Sequence, residues 1–132
     1  METNERIVIT PAEKADHLTK ELRRFTGTVT WFRHILFPKY LYTEGVRFLA
    51  EEAEAYWLIE MIFAFQTKPV IRNAGYFQAW DLIVHDNKTA TLTCENGNCD
   101  LVFTHHLTFT DFPLPKVKMF FIHDTLLLTS EY

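Results

Sequence analysis

The stretch from Thr43 to Gln66 constrains this chain more than any other, because it is the one segment long and apolar enough to form a central helix. Thr43 is a natural N-cap, Glu44 places a negative charge in the first turn, and no proline interrupts before Pro69. The spacing predicts a single helix of about six turns, roughly 33 Å long. Glu44, Arg47, Glu51 and Glu54 recur at three- and four-residue steps on one side, with Val46, Leu49, Ala53 and Trp57 on the other. From Ala55 to Phe65 the helix is apolar all round, so both of its faces need cover. Glu60 breaks that pattern. Its helix-surface neighbours are Tyr56, Trp57, Phe63 and Ala64, which predicts an inward carboxylate that must be protonated, hydrogen-bonded or paired. Such a group is a structural carboxylate bonded to a tyrosine, histidine or arginine elsewhere in the fold, or an acid at the base of a ligand pocket; a helix that ends early or rotates would instead leave Glu60 in water. Arg33 and His34 are the nearest cationic candidates for it in the sequence.

The 132 residues suit one domain, 1–132, with a real core and no need of disulfides or metal. Hydrophobic residues make up 48% and include twelve Phe, which argues against disorder. The net charge of −4 comes from interspersed acids and bases, so no nucleic-acid footprint is present at the level of net charge. No apolar run approaches a membrane span, and Met1-Glu2-Thr3-Asn4-Glu5 lacks the basic and apolar regions of a signal peptide. A cytoplasmic address with two reduced cysteines and no membrane partner is therefore expected.

Arg6 to Ile9 reads as a short edge strand, and Thr10-Pro11-Ala12-Glu13 as the capping box of a first helix. That helix carries a narrow stripe of Ala15, Leu18, Leu22 and Phe25, for which Leu58, Ile62 and Phe65 of the central helix are the expected landing site. The segment Phe25 to Tyr42, with a turn at Thr26-Gly27-Thr28 and a short strand within Val29 to Ile35, is aromatic enough to pack over the helix.

After Gln66 the period changes to two. Parity aligns Trp80, Leu82 and Val84 with Ala90, Leu92 and Cys94 across an odd loop, Asp86-Asn87-Lys88. Asn96-Gly97 signals a two-residue type I′ hairpin pairing Cys94 with Cys99, Leu92 with Leu101 and Ala90 with Phe103. Cys99, Leu101, Phe103, His105, Leu107 and Phe109 then face inward, as do Val117, Met119 and Phe121 of a fourth strand, with His123 next. The expected architecture is α+β: two N-terminal helices, one long and central, followed by a four-stranded antiparallel meander curved around the long helix as a helix-grip or cystatin-like roll.

Several of these segments carry a resemblance. Phe25-Thr26-Gly27-Thr28, Trp31 with Arg33-His34, Tyr42-Thr43-Glu44-Gly45-Val46, Leu49-Ala50 and Ala55-Tyr56-Trp57-Leu58 are similar to a family of small uncharacterised bacterial proteins known as a domain of unknown function. Trp80, the turn after Cys94, Phe109-Thr110-Asp111-Phe112-Pro113 and Ser130-Glu131-Tyr132 extend the match over most of the chain. The resemblance implies a bacterial protein and brings no activity, cofactor or catalytic residue with it.

The chemistry left to weigh is sparse. Cys94 and Cys99 lack zinc-knuckle spacing, and His105 lies about 20 Å along the strand from Cys99, so no metal and no cofactor are expected. With Phe121 opposite His105, His123 would lie diagonally within reach of His105 on the face that meets Glu60. No nucleophile motif, phosphate loop or paired-carboxylate spacing appears. The reading is a binding module with an apolar pocket between helix and sheet, with Glu60, His105, His123, Tyr56, Trp57, Arg33 and His34 as candidate ligand-binding residues. Phe120 and Ile122, and likewise Phe77 and Ile83, alternate outward on the meander's edges, which points to a homodimer or to cover by the N-terminal segment. Two alternatives stand beside it: an enzyme using Glu60 with His105 or His123 as acid and base, and a nucleic-acid regulator using Lys20, Arg23 and Arg24, which the acidic balance argues against.

Overall fold

A computed structural model describes residues 10–132, so the strand expected at Arg6–Ile9 lies outside the described residues. The first helix, α1 (Pro11–Leu22), begins at the expected capping box: Thr10 Oγ1 accepts from Glu13 N at 3.1 Å, and Thr10 N donates back to the Glu13 carboxylate at 3.4 Å. Thr43 caps the next helix as expected, accepting from Val46 N. The long central helix does not form as one piece. It is α2 (Glu44–Glu52) and α3 (Tyr56–Phe65), followed by a short α4 (Pro69–Arg72).

The break has a local cause. Ala55 N donates to Ala50 O at 2.8 Å and Glu54 N to Glu51 O at 3.4 Å, while Glu54 sits at φ 53°. This is a Schellman C-cap with a glutamate at the left-handed position where glycine is usual, and it buries Ala50 and Ala55 against the turn. The break re-aims the second helix. Leu58, Ile59, Ile62 and Phe63 become fully buried, and Phe65 stacks on Trp80 at 6.2 Å, so the row expected to receive α1 meets the sheet instead. Accordingly α1 packs chiefly against α2, with Leu18 buried and Phe25 5.2 Å from Phe48.

Among the described residues the sheet has seven strands rather than four: β1 (Trp31–Arg33), β2 (Leu41–Thr43), β3 (Phe77–Val84), β4 (Ala90–Asn96), β5 (Leu101–Leu107), β6 (Lys116–Ile122) and β7 (Thr125–Leu128), in the order β1-β2-β7-β6-β3-β4-β5. All neighbours are antiparallel except β2 and β7. The β3–β4 register matches the parity argument, with Trp80 opposite Cys94, Leu82 opposite Leu92 and Val84 opposite Ala90. Its loop is Asp86-Asn87-Lys88, closed by His85 N donating to Thr89 O, with Lys88 left-handed at φ 65°.

The β4–β5 register differs from the expected one. Cys94 faces Phe103, Leu92 faces His105 and Ala90 faces Leu107, a slide of four residues along β5. Two events produce it. Asn96 Oδ1 accepts from Asn98 N and Asp100 N, holding a three-residue loop Gly97-Asn98-Cys99 with Cys99 at φ 65°, and a bulge follows at Cys94/Glu95. The longer loop shifts the register by an odd number and would turn every side chain over, and the extra bulge residue restores the inward set Phe103, His105 and Leu107. Leu101 and Phe109, expected inside, are exposed.

After β5 the chain runs through Thr108–Pro115 and pairs β6 with β3, giving Trp80 opposite Met119 and Leu82 opposite Val117. The four strands β3 to β6 thus form a Greek key instead of a meander. The helices cover one face of the sheet. On the other, threonines and charges occupy one end, while Phe77, Phe120 and Tyr132 cluster at the other with ring centroids 5.0–6.0 Å apart. Part of the cover for the outward aromatics therefore comes from the C-terminal residue.

That C-terminal segment is locked to α2. Glu131 accepts from Thr43 Oγ1 (2.6 Å), Thr28 Oγ1 (2.7 Å), Leu128 N (2.9 Å) and Gly45 N (3.2 Å). A side chain at Gly45 would meet Leu128 Cδ1 at 2.6 Å and Glu131 Oε1 at 2.7 Å, so with any other residue there these two side chains would have to shift from the positions they hold in the staple. Among the described residues no helix is long and apolar enough to cross a membrane.

Candidate functional site

The break between α2 and α3 turns Glu60 away from the core. Its side chain is 46% exposed, and its Oε2 lies 2.9 Å from Nε2 of the buried His34. Leu36 N donates to His34 Nδ1 at 3.0 Å. A backbone N–H can only donate, so Nδ1 must be the bare nitrogen and Nε2 carries the proton toward Glu60. Both ring nitrogens are thus committed, and none is free to take a proton from a substrate. The pair ties the segment between β1 and β2 to α3. Arg33 does not join it, because its exposed guanidinium bonds the Pro38 carbonyl and closes the same loop.

The other candidate residues are scattered. Tyr56 donates to Glu51 Oε1 across the helix break, where Arg47 also bonds Glu51 and lies over the Phe32 ring. Those two partners hold the Glu51 carboxyl below its ordinary value. Trp57 is half-buried, edge-on to Phe112. His105 lies on the inner face of β5 against Phe65, whereas His123 is in the β6–β7 turn. Three inter-strand steps separate β5 from β6, about 14 Å, so the expected His105–His123 pair is not assembled. Cys94 is buried and Cys99 exposed at the hairpin tip, so the expected cross-strand facing of the thiols is also absent. Burial pushes the Cys94 thiol up to about 12. Among the described residues no three His, Cys, Asp or Glu side chains converge as a metal site would require.

The space between α3 and the sheet, where an apolar pocket was expected, is filled by Phe63, Ile62, Trp80, Leu82 and Leu92, all 2% exposed or less. A polar cleft of about 250 Å³ lies instead at the edge of that layer, between the end of α3, α4 and the β6–β7 turn. Its floor is a buried glutamine pair: Gln66 and Gln78 exchange two amide hydrogen bonds of 2.9 Å, and Gln78 Oε1 also accepts from Trp80 Nε1. Further bonds to the Ile62 and Ile71 carbonyls complete both amides, which makes the floor a structural element rather than a reader of ligand.

The walls are less settled energetically. His123 and Asp124 form a two-residue hairpin turn with φ of 48° and 64°, conformations that asparagine and glycine adopt at less cost. The turn is pinned by His123 N donating to Tyr76 O and Leu41 N donating to Asp124 O, and the His123 ring stacks on Tyr76 at 4.7 Å. Gly75, at φ 98°, lets the chain enter β3 beside it. Lys39 and Arg72 stand on the same cleft, and among the described residues neither has a carboxylate within ion-pair distance, Asp124 included. Of the cleft residues only His123 stood out from sequence. Lys39, Arg72 and Gly75 carry no motif, and the one available signal was a glycine immediately before a strand.

These features define a mixed α+β protein: one seven-stranded sheet covered on one face by helices, with a cationic cleft at the margin of that layer. The model of a family of unknown function, DUF6876, matches residues 16–132, and the chain belongs to that family. No curated protein and no solved structure matches it.

Proposed function

We propose that the protein is a binding module that takes a small anionic ligand in the cleft between α4 and the β6–β7 turn. The observation that carries this reading is the pair of cations, Lys39 and Arg72, without an ion-pair partner among the described residues, lining a concavity whose wall is a turn of two left-handed non-glycine residues. Strain of about 1–3 kcal/mol per such residue persists where surrounding structure enforces it, and it concentrates at ligand clamps. The stacked Tyr76 and His123 rings add a flat surface beside the charges, suited to a planar acid. Acid–base catalysis is the weaker reading because His34 has no free nitrogen and His105 stands apart from His123. A nucleic-acid role is weaker too, since Lys20 of α1 and Arg24 just beyond its end are already paired with Asp16 and Glu21.

Isothermal titration with inorganic phosphate and a set of mono- and dicarboxylates tests the proposal. At least one should bind saturably, and Arg72→Ala should weaken it by about 10- to 100-fold, the worth of one charge-assisted contact. No saturable binding, or equal binding by the variant, removes this function. A homodimer through Phe120 and Ile122 is a second reading, favoured by the open groove of about 370 Å³ that Trp31, Ile122, Leu127 and Tyr132 line on the outer face. Light scattering on the wild type and on Phe120→Asp decides it, and a monomer at high concentration ends it.

A further inference from the structure

The loop between β1 and β2 holds the two most exposed aliphatic neighbours in the described chain, Ile35 at 91% and Leu36 at 70%. Their exposure is enforced. Arg33 bonds the Pro38 carbonyl across the base of the loop, Leu36 N is bound by His34 Nδ1, Phe37 N donates to His34 O, and Glu60 holds His34 from α3. Below this base, Phe37 and Tyr40 pack on Phe63 at 6.0 and 5.3 Å, so the loop stands on the core. A rigid foot that keeps two branched side chains in water departs from ordinary scattered surface exposure.

We propose that this tip docks on an anionic bilayer surface, with Ile35 and Leu36 entering the headgroup boundary and Arg33 and Lys39 meeting lipid phosphates. The two adjacent exposed aliphatics lie between two exposed cations in the chain, Arg33 before them and Lys39 after, a charge arrangement complementary to a layer of phosphates. Among the described residues the one acid bonded to the loop, Glu60, is turned onto His34. The chain as a whole carries −4, so the attraction is local, and no spanning segment is needed for it.

Sedimentation with phosphatidylcholine vesicles, alone and with about one-third phosphatidylglycerol, tests this. The protein should sediment with the anionic vesicles and less with the neutral ones. The double variant Ile35→Ser/Leu36→Ser should lose at least about tenfold in partitioning with its melting temperature unchanged. Leu36→Trp gives an independent readout: its emission should shift to the blue on anionic vesicles. No sedimentation with either vesicle, equal sedimentation with both, an unchanged double variant or an unshifted Leu36→Trp spectrum each overturns the proposal.

Discussion

Removing the carboxylate of Glu131 should unfasten the C-terminal segment from α2. In Glu131→Ala four acceptor contacts disappear, those from Thr28, Thr43, Gly45 and Leu128. The two hydroxyls can rotate and find water, and Thr43 still caps Val46 N, so most of the loss falls on the Gly45 and Leu128 amides. Hydrogen bonds to charged groups are worth about 1.5–3 kcal/mol each, and re-solvation of the hydroxyls brings the sum to roughly 3–4 kcal/mol. For a chain of this size that is a fall in Tm of about 10 °C or more, read by circular dichroism or calorimetry. Glu131→Gln should recover no more than about half, since the two oxygens each face one backbone N–H, Leu128 at Oε1 and Gly45 at Oε2, and an amide supplies a single acceptor. A Tm within about 2 °C of wild type for Glu131→Ala would refute the staple.

Three further outcomes follow from the same structure. Glu54→Gly should raise stability by about 1 kcal/mol, seen as a higher denaturant midpoint at unchanged slope, because the exposed Glu54 loses no contact and glycine relieves the left-handed C-cap. Gly45→Ala should lower Tm clearly, since its new methyl group would press on Leu128 and Glu131. With the Cys94 thiol pushed up to about 12, its thiolate is scarce at pH 8, so iodoacetamide should label Cys99 alone in the native protein and both cysteines after unfolding, as mass spectrometry would show.

The elements that the sequence makes legible are those whose determinants are local. The capping box at Thr10, the N-cap at Thr43 and the β3–β4 loop all follow from residues within a few positions of each other. Register parity says only which face a side chain takes, so it is blind to a slide of four residues. A three-residue loop plus one bulge therefore moved Cys94 from Cys99 to Phe103 without disturbing the apolar pattern that supported the first register. Parity is equally silent on which strand lies beside β6: a β5 neighbour would bring His105 and His123 together, whereas β6 pairs with β3. The end of α2 is illegible for another reason: its left-handed residue is Glu54, and nothing in Glu-Ala-Glu-Ala announces a stop that glycine would have marked. That break rotates Glu60 to the margin, where it meets His34, one of the two partners that the sequence offers for it. The cleft depends on segments distant in sequence, Lys39, Arg72, Gly75 and the β6–β7 turn, and no single one of them carries a periodicity.

The binding reading is tested most directly by an amide-resolved NMR titration with phosphate and small carboxylates. Shifts should centre on Gly75, Tyr76, His123 and Asp124, saturate with ligand and vanish in Arg72→Ala. Shifts centred elsewhere, or none at millimolar ligand, would contradict it.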